Sequence, residues 1–294
     1  SPTTVREYRR LVAKTIGPDL RNLRLGRVTT KRVDDYYAQR TTERGLSPAT
    51  IRHIHAVLRG AFGQAVKWGM VPMNPIVGTT PPKLRQREIR PPSIADTKRL
   101  LDTADEYDRE YGALLRVLAT TGARRGEVCG IRWSDIDRGA RALSITRAIA
   151  SVAGGAVVKD TKTHASRRIE LDDATLAILD AQLDRMQQRA NACEVELLDD
   201  DYVFTSTADR ADPLHPDTIT KTFARVCKRA GVSGVRLHDL HHLHATQLLA
   251  AGVPVRTVSG RLGHANAATT LNVYAHFLEA SDREAADVIG DLLD

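Results

Sequence analysis

"ATTGARRGEVCGIRWSDID", residues 119–137, holds the end of one helical pattern and the start of the next. Thr121-Gly122 closes the first, because glycine enters the left-handed backbone that ends helices at little cost. Arg124 stands where the second begins. A guanidinium at such a junction, beside the N–H groups of a helix start, is placed to grip a phosphate oxygen. Glu127 can reach back and hold Arg124 in position. An Arg-x-x-Glu pair on any exposed helix would look the same, so its meaning depends on its surroundings.

Downstream, "ALSITRAIASV", "GAVVKD" and "RRIEL" read as three short strands of one small antiparallel sheet, with turns at Gly154-Gly155 and around 161–166. Lys162 falls in the second turn, where an ammonium can reach over a bound substrate and give up a proton; a solvated turn lysine is the plain alternative. Helical patterns cover 96–107, 111–121, 173–191, 216–230, 238–251, 254–262 and 279–293. "GRLGHANAATTLNVYAHF", residues 260–277, carries His264 after a glycine and Tyr274 in a short segment. "LHDLHHLHATQLLAAG", residues 237–252, packs His238, His241, His242 and His244 together. At ~100° per residue, His238, His241, His242 and Ala245 share one side of that helix, with Leu240, Leu243 and His244 on the other. His244 is expected as a packed or hydrogen-bonded core residue.

Upstream, the first ~75 residues read as a bundle of four or five helices. Thr3 or Thr4 would cap the first, Thr30 the next, with Gly45 as its stop. Ser47 caps "SPATIRHIHAVLRGAFGQAVKWG", with Pro48 in the first turn and Ile51, Ile54, Val57, Leu58, Phe62 and Val66 as its apolar stripe. Arg52, Arg59 and Lys67 lie off that stripe and can face phosphates. "GTTPPKLRQREIRPPSI", residues 78–94, is too rich in proline and charge for a packed element. The expected organisation is a helical domain over 1–79, a basic linker over 80–94 and a second domain over 95–294. The fold class is mainly α with a small antiparallel sheet.

The formal net charge is +7, and it is unevenly spread. Residues 1–90 hold 18 Lys and Arg against 6 Asp and Glu; the remainder is net acidic. Basic charge concentrated in one segment suits a polyanion partner, although a solvated basic surface would show the same bias. Cys129, Cys193 and Cys227 are too few and too scattered for a disulfide framework or a paired metal motif. No apolar run nears the ~20 residues that cross a bilayer, and "SPTTVREYRR" lacks the core of a secretory signal. A cytoplasmic protein with reduced thiols and no membrane partner is expected.

Taken in order, Thr121-Gly122-Ala123-Arg124-x-Gly126-Glu127, the Lys162 turn, His238-x-x-His241, Leu262-Gly263-His264 and Tyr274 resemble the tyrosine recombinase (phage integrase) family. "GLSPATIRHIHAVLRGAFGQAVKWGMVPMNP" resembles the family's helical core-DNA-binding domain, down to its closing Asn-Pro. The separate amino-terminal arm-binding domain of many phage integrases has no counterpart in this sequence. The resemblance implies a two-domain clamp around double-stranded DNA, assembled as a homotetramer on two attachment or core sites, bacterial or phage-encoded. Accessory DNA-bending or excision factors are compatible partners. It implies that Tyr274 attacks a scissile phosphate to give a 3′-phosphotyrosyl link and a free 5′-hydroxyl. The covalent link conserves the phosphodiester energy, so no cofactor and no metal is called for. Arg124 would stabilise the charged transition state, Lys162 would protonate the leaving 5′-oxygen, His238 would assist proton movement at the tyrosine, and His264 would bond a phosphate oxygen.

The sequence departs from the family at one place. The family reads His-x-x-Arg where this chain reads His238-x-x-His241, and that arginine is a phosphate clamp. Arginine is a permanent planar fork, whereas an imidazole is charged only below about pH 6.5 unless perturbed. Losing one such contact commonly costs ~10²–10³ in rate. A solvent-connected His241 would therefore clamp better as pH falls from 8 to 6. Two other functions stay open: a catalytically impaired protein of the same fold that binds and pairs its DNA sites, and a metallonuclease built on the histidines. The second has only His238 and His242 at i,i+4, with no HExxH glutamate and no third ligand at a telling spacing. Type IB topoisomerases share the chemistry, but chain length and motif details favour a recombinase.

Overall fold

The computed structural model describes residues 2–84, 91–152, 155–160, 166–205, 207, 212–264, 266–274 and 282–293. The chain divides into two compact units, residues 1–88 and 89–294.

In the first unit, α1 (Pro2–Leu11) runs through a π-helical turn (Val12–Ile16) into the short α2 (Gly17–Leu20). The widened turn ends at Ile16, directly before Gly17-Pro18, and Pro18 has no N–H to give and a ring that crowds the carbonyl four residues back. Because α1 begins at Pro2, Thr3 and Thr4 lie inside its first turn and neither caps it. α3 (Thr30–Arg44) is capped by Thr29 rather than Thr30, and Gly45 ends it at φ 59°. Thr30 instead donates to the carbonyl of Pro75 at 2.7 Å. α4 (Pro48–Lys67) starts on Ser47, whose hydroxyl accepts from the N–H of Thr50. Its Ile51, Ile54, Leu58 and Phe62 are buried against Leu11, Ile16, Val33, Tyr36 and Tyr37, while Arg52, Arg59 and Lys67 stay exposed. Among the described residues the bundle stops there. Residues 68–84 run through turns and irregular chain, because Pro72, Pro75, Pro81 and Pro82 cannot propagate a helix. Asn74 fastens this tail by donating to the carbonyl of Arg59 at 3.0 Å and accepting from the N–H of Ile76 at 3.0 Å.

The second unit opens with α5 (Ile94–Tyr107), capped by Ser93, and α6 (Arg109–Thr121), capped by Asp108. α6 is the central helix: Tyr111, Leu114, Leu115, Val117 and Leu118 are all buried. After α7 (Arg125–Cys129) come β1 (Ile136–Asp137), β2 (Ala142–Ile145), β3 (Arg147–Val152), β4 (Gly155–Asp160) and β5 (Arg167–Glu170). These form two antiparallel sheets, β1-β2-β5 and the hairpin β3-β4, where one was expected. "ALSITRAIASV" breaks at Thr146. The buried carboxylate of Asp135 takes the Arg147 guanidinium at 2.5 Å, and Ile145 is the last residue of β2 to pair with β5. Then follow α8 (Asp173–Ala192), α9 (Pro216–Arg229), α10 (Asp239–Ala250), α11 (Val255–Leu262), α12 (Ala267–Tyr274) and α13 (Asp282–Leu293). The main core joins α5, α6, α8 and α9 to Leu143, Ile145 and Ile169 of the sheet. A satellite core of Ala245, Leu249, Val258 and Leu262 packs α10 on α11. Among the described residues no helix is long and apolar enough to cross a membrane.

Candidate active site

The end of α6 sets the first functional side chain. Gly122 sits at φ 65°, and a Cβ there would meet the His244 ring at 2.6 Å and Leu262 at 2.9 Å, so only glycine fits. The chain then extends through Arg124 into α7. The Arg124 N–H and its Nη1 both donate to the Glu127 carboxylate, at 2.8 and 3.1 Å, leaving Nη2 to reach the Gly263 carbonyl at 3.3 Å. The Arg124 side chain is 36% exposed, open enough to take an anion.

Glu127 also holds a second arginine. Arg167 on β5 donates to its two oxygens at 3.1 and 2.7 Å, and through Nε to the Arg261 carbonyl at 2.9 Å. Burial alone would push the Glu127 carboxyl up, but the bonds from Arg167 and Arg124 outweigh it and hold it below the usual range. Gly263, at φ 63°, lies so close that a Cβ would stand 2.5 Å from the Arg167 guanidinium. Arg167 was not singled out in the sequence. The available signal was alternation: it shares a face of β5 with the buried Ile169.

α10 supplies the histidines. His238 precedes the helix and stacks on His241, ring centroids 5.0 Å apart, while His242 meets His238 edge-on at 4.7 Å. His241 is 4% exposed, with Nδ1 2.6 Å from the Gly122 carbonyl oxygen and Nε2 3.4 Å from Nε2 of His264. His264 in turn bonds Thr270 of α12 through Nδ1 at 2.8 Å. His244 lies on the opposite side, between the Ala119 carbonyl at 3.1 Å and the Arg261 guanidinium at 3.1 Å, as a hydrogen-bonded core residue. Burial, reinforced by Arg124, lowers His238 and His264, and burial pushes His241 down to about 2. The rings at the site are therefore neutral near pH 7. The expectation of a titrating, solvent-connected His241 is overturned by its burial.

Arg124, His238, His241 and His264 thus meet from three separate parts of the chain. Tyr274 is the last residue of α12, and its side chain lies outside the described residues, as does Lys162. Among the described residues no three His, Cys, Asp or Glu side chains are grouped to hold a metal ion.

Residues 94–280 match the phage integrase family, well over half of the chain. The chain belongs to that family. It is a site-specific tyrosine recombinase, one of the DNA-binding enzymes of mobile elements that break and rejoin DNA. It is 27% identical over 93% of its length to a tyrosine recombinase XerC-like protein of Caldanaerobacter subterraneus subsp. tengcongensis, covering 74% of that protein. It is 25% identical to the ICEBs1 integrase of Bacillus subtilis, with 91% of this chain and 72% of the relative covered. In fold it is similar to the Tn1549 transposon integrase in complex with transposon right end DNA (TM-score 0.75, 20% identity, 97% of this chain and 94% of that one). It is also similar to a lambda integrase in a tetramer bound to a Holliday junction (TM-score 0.68, 21% identity, 90% and 72% covered). The mainly helical architecture with small antiparallel sheets is that of integrase core-binding and catalytic domains.

Proposed function

We propose that this integrase cleaves double-stranded DNA at a core site through Tyr274, forming a 3′-phosphotyrosyl link, and rejoins the strands within a homotetramer that pairs two sites. The observation that carries the reading is the approach of Arg124 to the Gly263 carbonyl, across 139 residues, which sets its guanidinium beside His264. A phosphate between them would be held by a partly exposed cation and an imidazole donor, both fixed before it arrives. In this reading Arg124 stabilises the transition state, His264 bonds a non-bridging oxygen, His238 assists proton movement at Tyr274 and Lys162 protonates the leaving 5′-oxygen. No metal or nucleotide cofactor takes part.

One observation favours a weakened enzyme. The neutral, buried His241 spends a ring nitrogen on Gly122, so it offers the phosphate neither charge nor fork. The chain then recognises and pairs its sites well while cleaving slowly. The test is incubation with a nicked suicide substrate bearing the core site, read on a denaturing gel. The reading gives an EDTA-resistant covalent adduct that Tyr274→Phe abolishes with DNA binding nearly intact. An adduct surviving in that variant overturns it.

A further inference from the structure

The two ends of the histidine chain fix where its protons lie. A carbonyl oxygen only accepts, so the His241 nitrogen 2.6 Å from Gly122 O carries a proton on Nδ1. The ring is buried and uncharged, so it has one proton, and its Nε2 is a bare acceptor. The 3.4 Å contact with His264 is then a long hydrogen bond only if His264 donates from Nε2. His264 faces the guanidinium charges of Arg124 and Arg167, which together with burial disfavour a second proton on its ring. Its Nδ1 is therefore an acceptor, and the hydroxyl 2.8 Å away is the donor. The chain runs one way: Thr270 to His264, His264 to His241, His241 to Gly122.

Thr270 is fully buried and lies on α12, one helical turn before Tyr274. Its bond to His264 joins the helix that ends in Tyr274 to the loop that follows Gly263, where Arg124 and Arg167 converge. A neutral histidine can carry its proton on either nitrogen, and a partner on one of them decides which. Without Thr270, only the long 3.4 Å contact with His241 Nε2, among the described residues, favours the proton on the nitrogen that faces the site.

We propose that Thr270 is a positioning residue for cleavage: its hydroxyl holds His264 in the Nε2–H tautomer and registers the helix of Tyr274 against the phosphate-binding side chains, with His241 as the acceptor that keeps the His264 proton until a phosphate oxygen takes it. This rests on the roles given above to Tyr274 and His264. It assigns His241 the part of an acceptor in the unliganded site, the opposite of an arginine clamp. A phosphate oxygen competes with His241 Nε2 for one N–H, and the exchange needs no change of tautomer.

The test uses the full chain labelled with ¹⁵N-histidine, with long-range proton–nitrogen spectra to read each tautomer in the absence of DNA. The wild-type His264 signals are those of Nε2–H; an Nδ1–H pattern overturns the proposal. Thr270→Val, which keeps the shape and removes the hydroxyl, shifts His264 to a mixture of tautomers. It lowers the single-turnover rate of adduct formation by roughly 10- to 100-fold, the scale on which groups that orient a reacting imidazole act. Core-site affinity is unchanged, and Thr270→Ser restores both the tautomer and the rate. A Thr270→Val chain with an unaltered His264 tautomer, or with wild-type cleavage, overturns the assignment. Because the tautomer is read without DNA, failure of the wild-type chain to form any adduct is seen separately and counts against the recombinase reading.

Discussion

His241 and Gly122 are joined at 2.6 Å, imidazole nitrogen to carbonyl oxygen, across the seam between α10 and the end of α6. The ring fills space between His238 and His264 and is almost wholly shielded from solvent. A side chain in this position stays neutral through the physiological range, and that fixes how the protein responds to acid.

The unfolded chain takes up a proton on His241 below about pH 6.5, whereas the folded chain does so only near pH 2. Stability from this residue is thus fully present above pH 6.5 and declines as pH falls from there towards 2. The decline is up to about 1.4 kcal/mol per pH unit. Denaturant unfolding at pH 7 and pH 5 checks it: His241→Gln should flatten the difference by about that slope. An unchanged difference would show that His241 already carries its proton in the folded state.

Glu127 is the hub of a second prediction. Its buried carboxylate pairs with both Arg124 and Arg167, and Glu127→Ala leaves the mostly buried Arg167 without an anionic partner. Removing one partner of such a pair costs about 3–5 kcal/mol. Glu127→Gln keeps the volume and one acceptor and should lose less. Both variants should form adduct more slowly, since Arg124 loses its fixed orientation. Urea unfolding of the two variants measures it, and a Glu127→Ala chain within about 1 kcal/mol of wild type contradicts a shared buried pair.

The carboxy-terminal helix gives a third. On α13, Ile289, Leu292 and Leu293 are exposed, an apolar face on a terminal segment. If this face holds the proposed homotetramer together, it docks on a neighbouring protomer. Deleting residues 279–294 should spare binding to a single site and eliminate complexes that pair two sites on native gels. Paired complexes from the truncated chain would refute the docking role.

Much of this site is written in local sequence. The α6–α7 junction, with Gly122 as stop and Arg124 and Glu127 after it, follows from glycine backbone freedom and side-chain reach alone. So does the sorting of the α10 histidines, because helical geometry turns spacing into sides: His238 and His241 stack while His244 enters the core. What was not legible depends on distant partners. Arg167 gains its meaning from Glu127, 40 residues earlier, and from the Arg261 carbonyl, 94 later. Thr270 looks like any helical threonine until His264 folds against it. The break at Thr146 comes from Asp135, which no strand pattern announces. The protonation of His241 is set by burial, a property of the assembled core and not of the helix.

The proposed function leaves this site one phosphate clamp short, with His241 where the family has an arginine. It is tested most directly by the single-turnover rate of adduct formation on the suicide substrate, compared between His241→Arg and the present chain from pH 8 to pH 6, with melting temperatures as the control for folding. The arginine variant should be ~10-fold faster or more, since a permanent bidentate charge replaces a neutral ring. Because burial keeps His241 uncharged, the ratio between the two chains should stay level across that pH range. A folded His241→Arg variant no faster than the present chain at pH 8 would contradict the proposal that a phosphate-clamping arginine is missing at position 241.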